Sequence, residues 1–378
     1  MSKWIQLGEI ITPAPLCRCK DGKYPILSMT MHDGIVLQSD RFKKSLASSD
    51  TSNYKVVRKS QLVEGFPIDE GVIYVQKIVD EGIMSPAYRV WDIDINKVEP
   101  DYLDLVLHCE RAIHYYKSKL RGTTVRRRTL PTPTLLAMEI LLPTKTEQQL
   151  RVMKLKAVQA IIDISKRLKK KLDTLVKSRF IEMFGDLTLP IVHVEDICSD
   201  IVDCPHTTPK YQGELLYPAI RTTEIKEGYI DWTTMKYVAK DEYDKRISRL
   251  KPLAGDIVYG REGTYGNAAI LPEGYDFCLG QRVMLFRTDM KKCLPLYLLQ
   301  ALISDDVKRQ ADSKNTGSTV AHVNVADAKK FTIPLPPIAL QNQFAAFVQQ
   351  VDKSKSVLQK LLEKQELLRA ALMQEYFG

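Results

Sequence analysis

Hydrophobic spacing divides the chain into stretches of two kinds. Thr144–Phe184 and Ile338–Tyr376 hold neither glycine nor proline, while the rest is punctuated by both. In the second stretch Phe344, Phe347, Val351, Ser354, Leu358, Leu361, Gln365, Leu368 and Leu372 step by three and four residues. Ile161, Ile164, Leu168, Leu172 and Leu175 do the same in the first. Such stepping keeps one apolar seam on a helix and predicts two coiled-coil helices. Each begins after a proline-marked boundary, "ILLPTKTEQQ" and "IPLPPIALQNQ". Thr144-Lys145-Thr146-Glu147 has the form of a capping box, in which Thr and Glu side chains satisfy free backbone donors. About 40 residues make a helix roughly 60 Å long, too long to fold into a small globular domain.

The remaining stretches read as short strands parted by Gly, Pro and Asp turns, as in "GVIYVQKIV", "GDIVYG" and "GQRVMLFR". Short helices are expected near Tyr102–Lys119 and Tyr297–Gln310. The fold class is mixed α/β without regular βαβ alternation. Similar segments recur at one offset: Phe184-Gly185 and Phe377-Gly378 lie 193 positions apart, as do "YPILSMT" from Tyr24 and "YPAIRTT" from Tyr217. "YLDLVL" from Tyr102 and "YLLQAL" from Tyr297 lie 195 apart, as do "GTTV" from Gly122 and "GSTV" from Gly317. One domain-plus-helix unit is used twice. The expected domains are residues 1–143, a long helix over 144–186, residues 187–337, and a second long helix over 338–378. A compact domain of this size has a radius of gyration of about 15 Å, so the helix ends it links must be close. Two antiparallel helices with a globular head at each end follow, a dumbbell with a pseudo-two-fold repeat.

Bulk properties narrow the function. With 378 residues, 44% hydrophobic and 27% charged, each half can bury a core. The opening "MSKWIQLGEI" has no apolar signal region, and no run of 18 apolar residues occurs, so a cytoplasmic protein away from membranes is expected. Seven scattered cysteines fit reduced thiols, and neither Cys17-Arg18-Cys19 nor Cys204-Pro205-His206 has zinc-site spacing, so no metal is expected. The net charge is +9, and Thr144–Phe184 alone carries eleven Lys/Arg against four acids. That excess points to nucleic acid. Lys166, Arg167, Lys169, Lys170 and Lys171 are candidates for DNA phosphates or for an acidic partner subunit.

Enzymatic motifs are missing from the sequence: it has no P-loop, HExxH, GxSxG or methyltransferase signature. "GREGTYG" at Gly260–Gly266 is mis-spaced for a phosphate loop and reads as a hairpin turn. Pro100-Asp101 followed by Glu110-Arg111-Ala112 lacks the lysine of a nuclease pattern. No catalytic residue and no cofactor is expected. Two related heads without chemistry suit double-stranded DNA, whose local two-fold axes offer two half-sites.

The sequence resembles the specificity (S) subunits of type I restriction–modification enzymes over essentially its whole length. "DCPHTTPKYQGELLYPAIRTTEIKEGYID" (Asp203–Asp231) is similar to the opening of a target-recognition domain of that family. "CLGQRVMLFR", "TGSTVAHVNVADAKKFTIPLPP" and the helix ending "EMFGD" fit as well. The first head departs from this pattern, with "EGIMSPAYRVW" and "GTTVRRRTL" in the corresponding places, and resembles a different type of recognition domain. The resemblance implies a subunit with no catalysis of its own. It would choose the DNA sequence on which two methyltransferase subunits act, together with restriction–translocase subunits in the full enzyme.

From the residues themselves, the second head offers His206, Thr208 and Lys210 in one polar loop, and Ser318, Thr319, His322 and Asn324 in another. Arg221, Arg261, Tyr265 and Arg282 stand beside turns. In the first head Arg126, Arg127 and Arg128 occupy the equivalent of the second loop. Arg reads guanine edges and Asn adenine, while Lys, Ser and Thr more often hold phosphates. An autonomous DNA-binding regulator, and a self-contained DNA modification or cleavage enzyme, stay open as alternatives. The regulator would carry no apolar surface for docking an enzyme.

Overall fold

The computed structural model describes residues 2–20, 24–31, 33–41, 51–120, 128–185, 188–213, 217–263, 265–313 and 322–378. The chain forms two compact units, residues 1–166 with 360–378, and residues 167–359. Both expected long helices are present, Lys145–Phe184 and Ile338–Phe377, each of 40 residues. Thr144 Oγ1 accepts from the amide of Glu147 at 3.3 Å, which is half of the expected capping box. The Glu147 carboxylate turns instead to Arg151, at 2.5 Å.

In the first unit a four-stranded antiparallel sheet runs Ile11–Pro13, Arg89–Ile93, Leu62–Glu64, Ile73–Val75. Lys3–Gln6 pairs antiparallel with Glu139–Leu142 beside it. The core gathers Leu62, Ile73 and Trp91 of the sheet, Tyr102 and Leu103 of a short helix, and Val152 and Leu155 of the first long helix. Phe377, at the end of the second long helix, closes it with its ring 5.4 Å from that of Tyr102. The helices run antiparallel here: Arg151 donates to the carbonyl of Tyr376 at 2.9 Å, and Ser165 to Gln365 at 3.1 Å.

The second unit repeats the plan. Cys198–Asp203, Val283–Thr288, Ile257–Gly260 and Ala268–Ile270 form the antiparallel sheet. Ile191–His193 pairs with Thr332–Pro334. A further sheet orders Tyr211–Gln212, Lys236–Val238, Tyr217–Ile220 and Cys278–Leu279, its last pair parallel. Phe184 closes this core 4.9 Å from Tyr297 and 5.4 Å from Phe344. Lys169 reaches Gln359 and Lys355 reaches Asp173, so the helices are antiparallel here too. The recurring Phe-Gly is thus a helix-terminal plug. Gly follows Phe184 because a Cβ there would stand 2.7 Å from the carbonyl oxygen of Ile181.

The repeat reaches individual hydrogen bonds. Gln148, fully buried, accepts from the amide of Glu99 and donates to the carbonyls of Lys97 and Pro143. Gln341, 193 positions on and equally buried, accepts from Leu294 and donates to Lys292 and Pro336. A buried amide is tolerated only when its groups are bonded. Each glutamine thereby staples the start of a long helix to its head.

Three details of the expectation change. The short helices are pairs, Pro100–Leu107 with Glu110–Lys119, and Pro295–Leu302 with Asp305–Ser313. "GVIYVQKIV" is strand only over Ile73–Val75, because the buried Gln76 side chain bonds Ile78 and Val79 into a turn. On the first helix the buried seam also differs from the stripe the spacing picked out, whereas Phe344, Val351 and Gln365 of the second helix's stripe are buried. Ile162, Ser165 and Val176 are buried, whereas Ile161, Ile164, Leu168 and Leu175 are 44–49% exposed. On the second helix Leu361 and Leu368 are exposed as well. The seam includes a hydrogen-bonded Ser165–Gln365 pair, so hydrophobicity alone could not locate it.

Candidate nucleic-acid interface

In the second unit the register sets Asp203 against Met284, and Gly260 against Val283. Three strand ends therefore deliver their following or preceding loops to one end of the sheet. Asp203 is the hub. One of its carboxylate oxygens accepts from the Arg261 guanidinium, and the other lies 3.2 Å from Nε2 of His206. Arg261 is only 8% exposed, and its Nε donates to the carbonyl of Val323 at 3.0 Å. The Val323 amide returns a bond to the Arg261 carbonyl, while the Arg261 amide donates to the carbonyl of Arg282.

Around this strut stand more exposed groups. Arg282 pairs with Glu262 at 3.0 Å, and its side chain stays 63% exposed. Its φ of 63° lies in the left-handed region, which costs a non-glycine residue about 1–2 kcal/mol. The backbones of Glu262 and His322 form an isolated antiparallel β-bridge, and Nε2 of His322 lies 3.1 Å from Asn324 Oδ1. Asn324 stands at the N-cap position of the short helix Val325–Lys329 without a side-chain capping bond, its Nδ2 donating instead to Asp327 at 3.4 Å. Thr208 accepts from Gln281 at 2.9 Å, which ties the 203–210 loop to the 280–282 turn. At that turn a Cβ on Gly280 would stand 2.5 Å from the Ile220 carbonyl oxygen, so only glycine fits.

The structure thus brings His206, Thr208, Arg261, Arg282, His322 and Asn324 into one linked patch. Lys210 is exposed on the same loop as His206 and Thr208. Arg221 is clamped by Glu224 and donates to the Thr234 carbonyl. The Tyr265 hydroxyl bonds Asp312. Asp203, Glu262 and Gln281 organise the patch and were not among the expected residues. The Asp-x-x-His spacing of "DCPH" is the signal for the first of them. Ser318 and Thr319, with the "GSTV" they belong to, lie outside the described residues.

In the first unit Arg126, Arg127 and "GTTV" also lie outside the described residues. Arg128 pairs with the buried Asp69 at 2.5 Å, and its carbonyl accepts from the amide of Ile68. On the first long helix Lys166 pairs with Glu366 and Lys169 donates to Gln359, while Arg167, Lys170 and Lys171 are exposed. Among the described residues no group of three or more His, Cys, Asp or Glu is placed to hold a metal, and no helix is long and apolar enough to cross a membrane.

Residues 216–369 match the family described as the type I restriction modification DNA specificity domain. A curated relative is the putative type I restriction enzyme MjaX specificity subunit of Methanocaldococcus jannaschii, 27% identical over 182 residues. The match covers 45% of this chain and only 41% of that relative's length. Two solved structures share the fold across the whole chain. One comes from work on complex assembly and conformational transition of the type I R-M system, with a TM-score of 0.61, 18% identity, and coverage of 100% of this chain and 97% of that one. The other is the S subunit of a type I restriction–modification system from M. genitalium, with a TM-score of 0.51, 13% identity, and coverage of 100% and 96%. The chain is similar to type I specificity subunits in sequence through much of its second half, and in fold throughout.

Proposed function

We propose that this chain is the DNA-recognition subunit of a type I restriction–modification complex, without catalysis of its own. Residues 1–143 and 187–337 act as two target-recognition domains that read the two halves of a bipartite site. The helices over 144–186 and 338–378 space them and scaffold methyltransferase and restriction subunits. The observation that carries this reading is the patch around Asp203 and Arg261, which lies at the loop end of a sheet and includes residues of the matched specificity domain. In it Arg261 is a strut, His206, Lys210, Arg282 and Asn324 are exposed polar groups, and the half-buried His322 lies beside them; these are the candidates for contacts with bases and phosphates.

The apolar stripe of Ile161, Ile164, Leu168 and Leu175 on one face of the first long helix supports the scaffolding role. An autonomous regulator has no use for such a surface, and water-exposed apolar stripes of this kind mark partner contacts. Arg167, Lys170 and Lys171 on the same helix supply positive charge for DNA phosphates. The test is to replace residues 187–337 with the matching segment of a relative and map methylation across a genome carrying the chain and its partner subunits. One half of the modified sequence should change while the other stays. A change in both halves at once, or methylation by the purified chain alone, would overturn the reading.

A further inference from the structure

The first unit carries a cationic cleft at the place where the second unit has its Asp203–Arg261–His206 patch. The repeat fixes the correspondence. Trp91 and Phe286 lie 195 positions apart, each on the strand next to the first strand of its sheet, and each faces its unit's helix-packed core. Pro13 pairs with Trp91 as Ile201 pairs with Phe286. The Ala14 amide donates to Val90, and Val202 pairs with Leu285. Counting on, Pro15 stands where Asp203 stands, and Arg18 where His206 does. The acid at the centre of the second unit's patch is therefore missing from the first.

A cleft of about 330 Å³ opens at this point. Its lining includes Pro15, Cys17, Lys55, Arg89 and Thr132. Arg18 is bridged across the strands to Lys55, and its guanidinium donates to Asn53 at 2.7 Å. Arg89 is held in place from behind by Glu64, Thr132 at 2.9 Å and the Leu130 carbonyl at 2.6 Å. Lys55 donates to the Tyr88 carbonyl at 2.5 Å. Lys55 and Arg89 thus line the cleft, with the charge of Arg18 close enough to act on Lys55, and of the three it is Arg89 that is bonded to a carboxylate, that of Glu64 behind it. Burial first, and then the charges of Arg18 and Arg89, hold the Lys55 ammonium below its ordinary pKa. A site whose cations repel one another is stabilised by an anion.

We infer that this cleft is an anion subsite of the first unit, taking a phosphate of the DNA backbone on Lys55 and Arg18 with Arg89 as its fixed wall. The inference rests on the DNA-recognition reading above and gives the first unit a contact made of described residues. Phosphate contacts of this kind set register on the duplex and carry no sequence information themselves. Free inorganic phosphate offers the same oxyanion chemistry, and the test separates the two sources.

The full-length chain is titrated with a mixed-sequence duplex over a range of salt concentrations. Each lost phosphate contact lowers the slope of log affinity against log salt by about 0.9. Lys55→Gln should lower it by about one such step, and Lys55→Gln with Arg18→Gln by about two. Lys55→Arg should retain the wild-type slope, and so should Lys59→Gln, an exposed lysine outside the cleft. Thermal melting confirms that each variant is folded, and the charge-retaining variant separates lost charge from lost packing. If the wild type binds the duplex and Lys55→Gln has the same slope, the subsite is wrong while the DNA-recognition reading stands. If the wild type binds no duplex, both fall. If inorganic phosphate shifts the Lys55 resonance while the duplex slope ignores the substitutions, the cleft is a free-phosphate site and the assignment to DNA is overturned.

Discussion

Asp203 and Arg261, 58 positions apart in the chain, form the ion pair on which the second unit's loop patch is built. With side chains 15% and 9% exposed, they are nearly out of water. Removing one member of such a pair leaves an uncompensated buried charge and costs about 3–5 kcal/mol. Asp203→Ala should therefore destabilise the second unit by about 3 kcal/mol, with Asp203→Asn closer to wild type. Hydrogen exchange of the strands Cys198–Asp203 and Ile257–Gly260, compared with the first unit's sheet, measures this locally.

The two buried glutamines make a matched test of the repeat. Gln341→Leu keeps the volume but leaves the amide of Leu294 and the carbonyls of Lys292 and Pro336 without this partner. Unsatisfied buried groups cost about 1–3 kcal/mol each, so a loss of about 3 kcal/mol from the second unit is expected. Gln148→Leu should cost the first unit a similar amount. Denaturant unfolding followed separately in the two units would show each substitution acting on its own unit only.

Glu64 should give the first unit a pH signature. Burial pushes its carboxyl up to about 7, against the opposing pull of Arg89 and the Trp91 indole N–H. Its folded pKa lies above its unfolded one, so its contribution is complete below about pH 4 and is lost as pH rises through about 7. The full difference is on the order of 3 kcal/mol. Between pH 5 and 7.5, approximately the window set by this shift, wild-type stability should fall relative to Glu64→Gln. Parallel stability curves for the two proteins across that window would show that Glu64 is already ionised at its lower end.

The exposed stripe on the first long helix should matter to partners and not to folding. Ile161→Asp and Leu168→Asp replace side chains that are 49% and 44% exposed, and surface changes typically alter stability by within about 0.5 kcal/mol. Co-purification with the methyltransferase subunits should be lost while the melting temperature holds. Full retention of the complex would remove the stripe from the docking surface.

Much of the fold could be read from the sequence because it rests on local periodicity and on repetition. Stretches free of Gly and Pro became helices, and the Phe-Gly echo became two equivalent plugs. On the second helix the stepping picked out much of the buried seam, Phe344, Val351 and Gln365 included, whereas on the first the seam runs through Ile162, Ser165 and Val176 while Ile161, Ile164, Leu168 and Leu175 face outward. Of the polar loops the sequence groups in the second unit, the described residues His206, Thr208, His322 and Asn324 meet in one linked patch. Which arginine is a strut and which is free depends on partners far along the chain, as Asp203 is for Arg261. The first unit's cleft was hidden for the same reason. Arg18, Lys55 and Arg89 are scattered in sequence and meet only through strand register.

The closing of the first unit by Phe377 has a consequence for biosynthesis. A ribosome has made every residue of the second unit before it reaches Tyr376 and Phe377, which the first unit's core requires. The half of the chain translated first is therefore the half completed last. Until then the face of its core at Tyr102 that Phe377 later covers is open, and that unfinished face is where a chaperone or a protease would find the nascent chain.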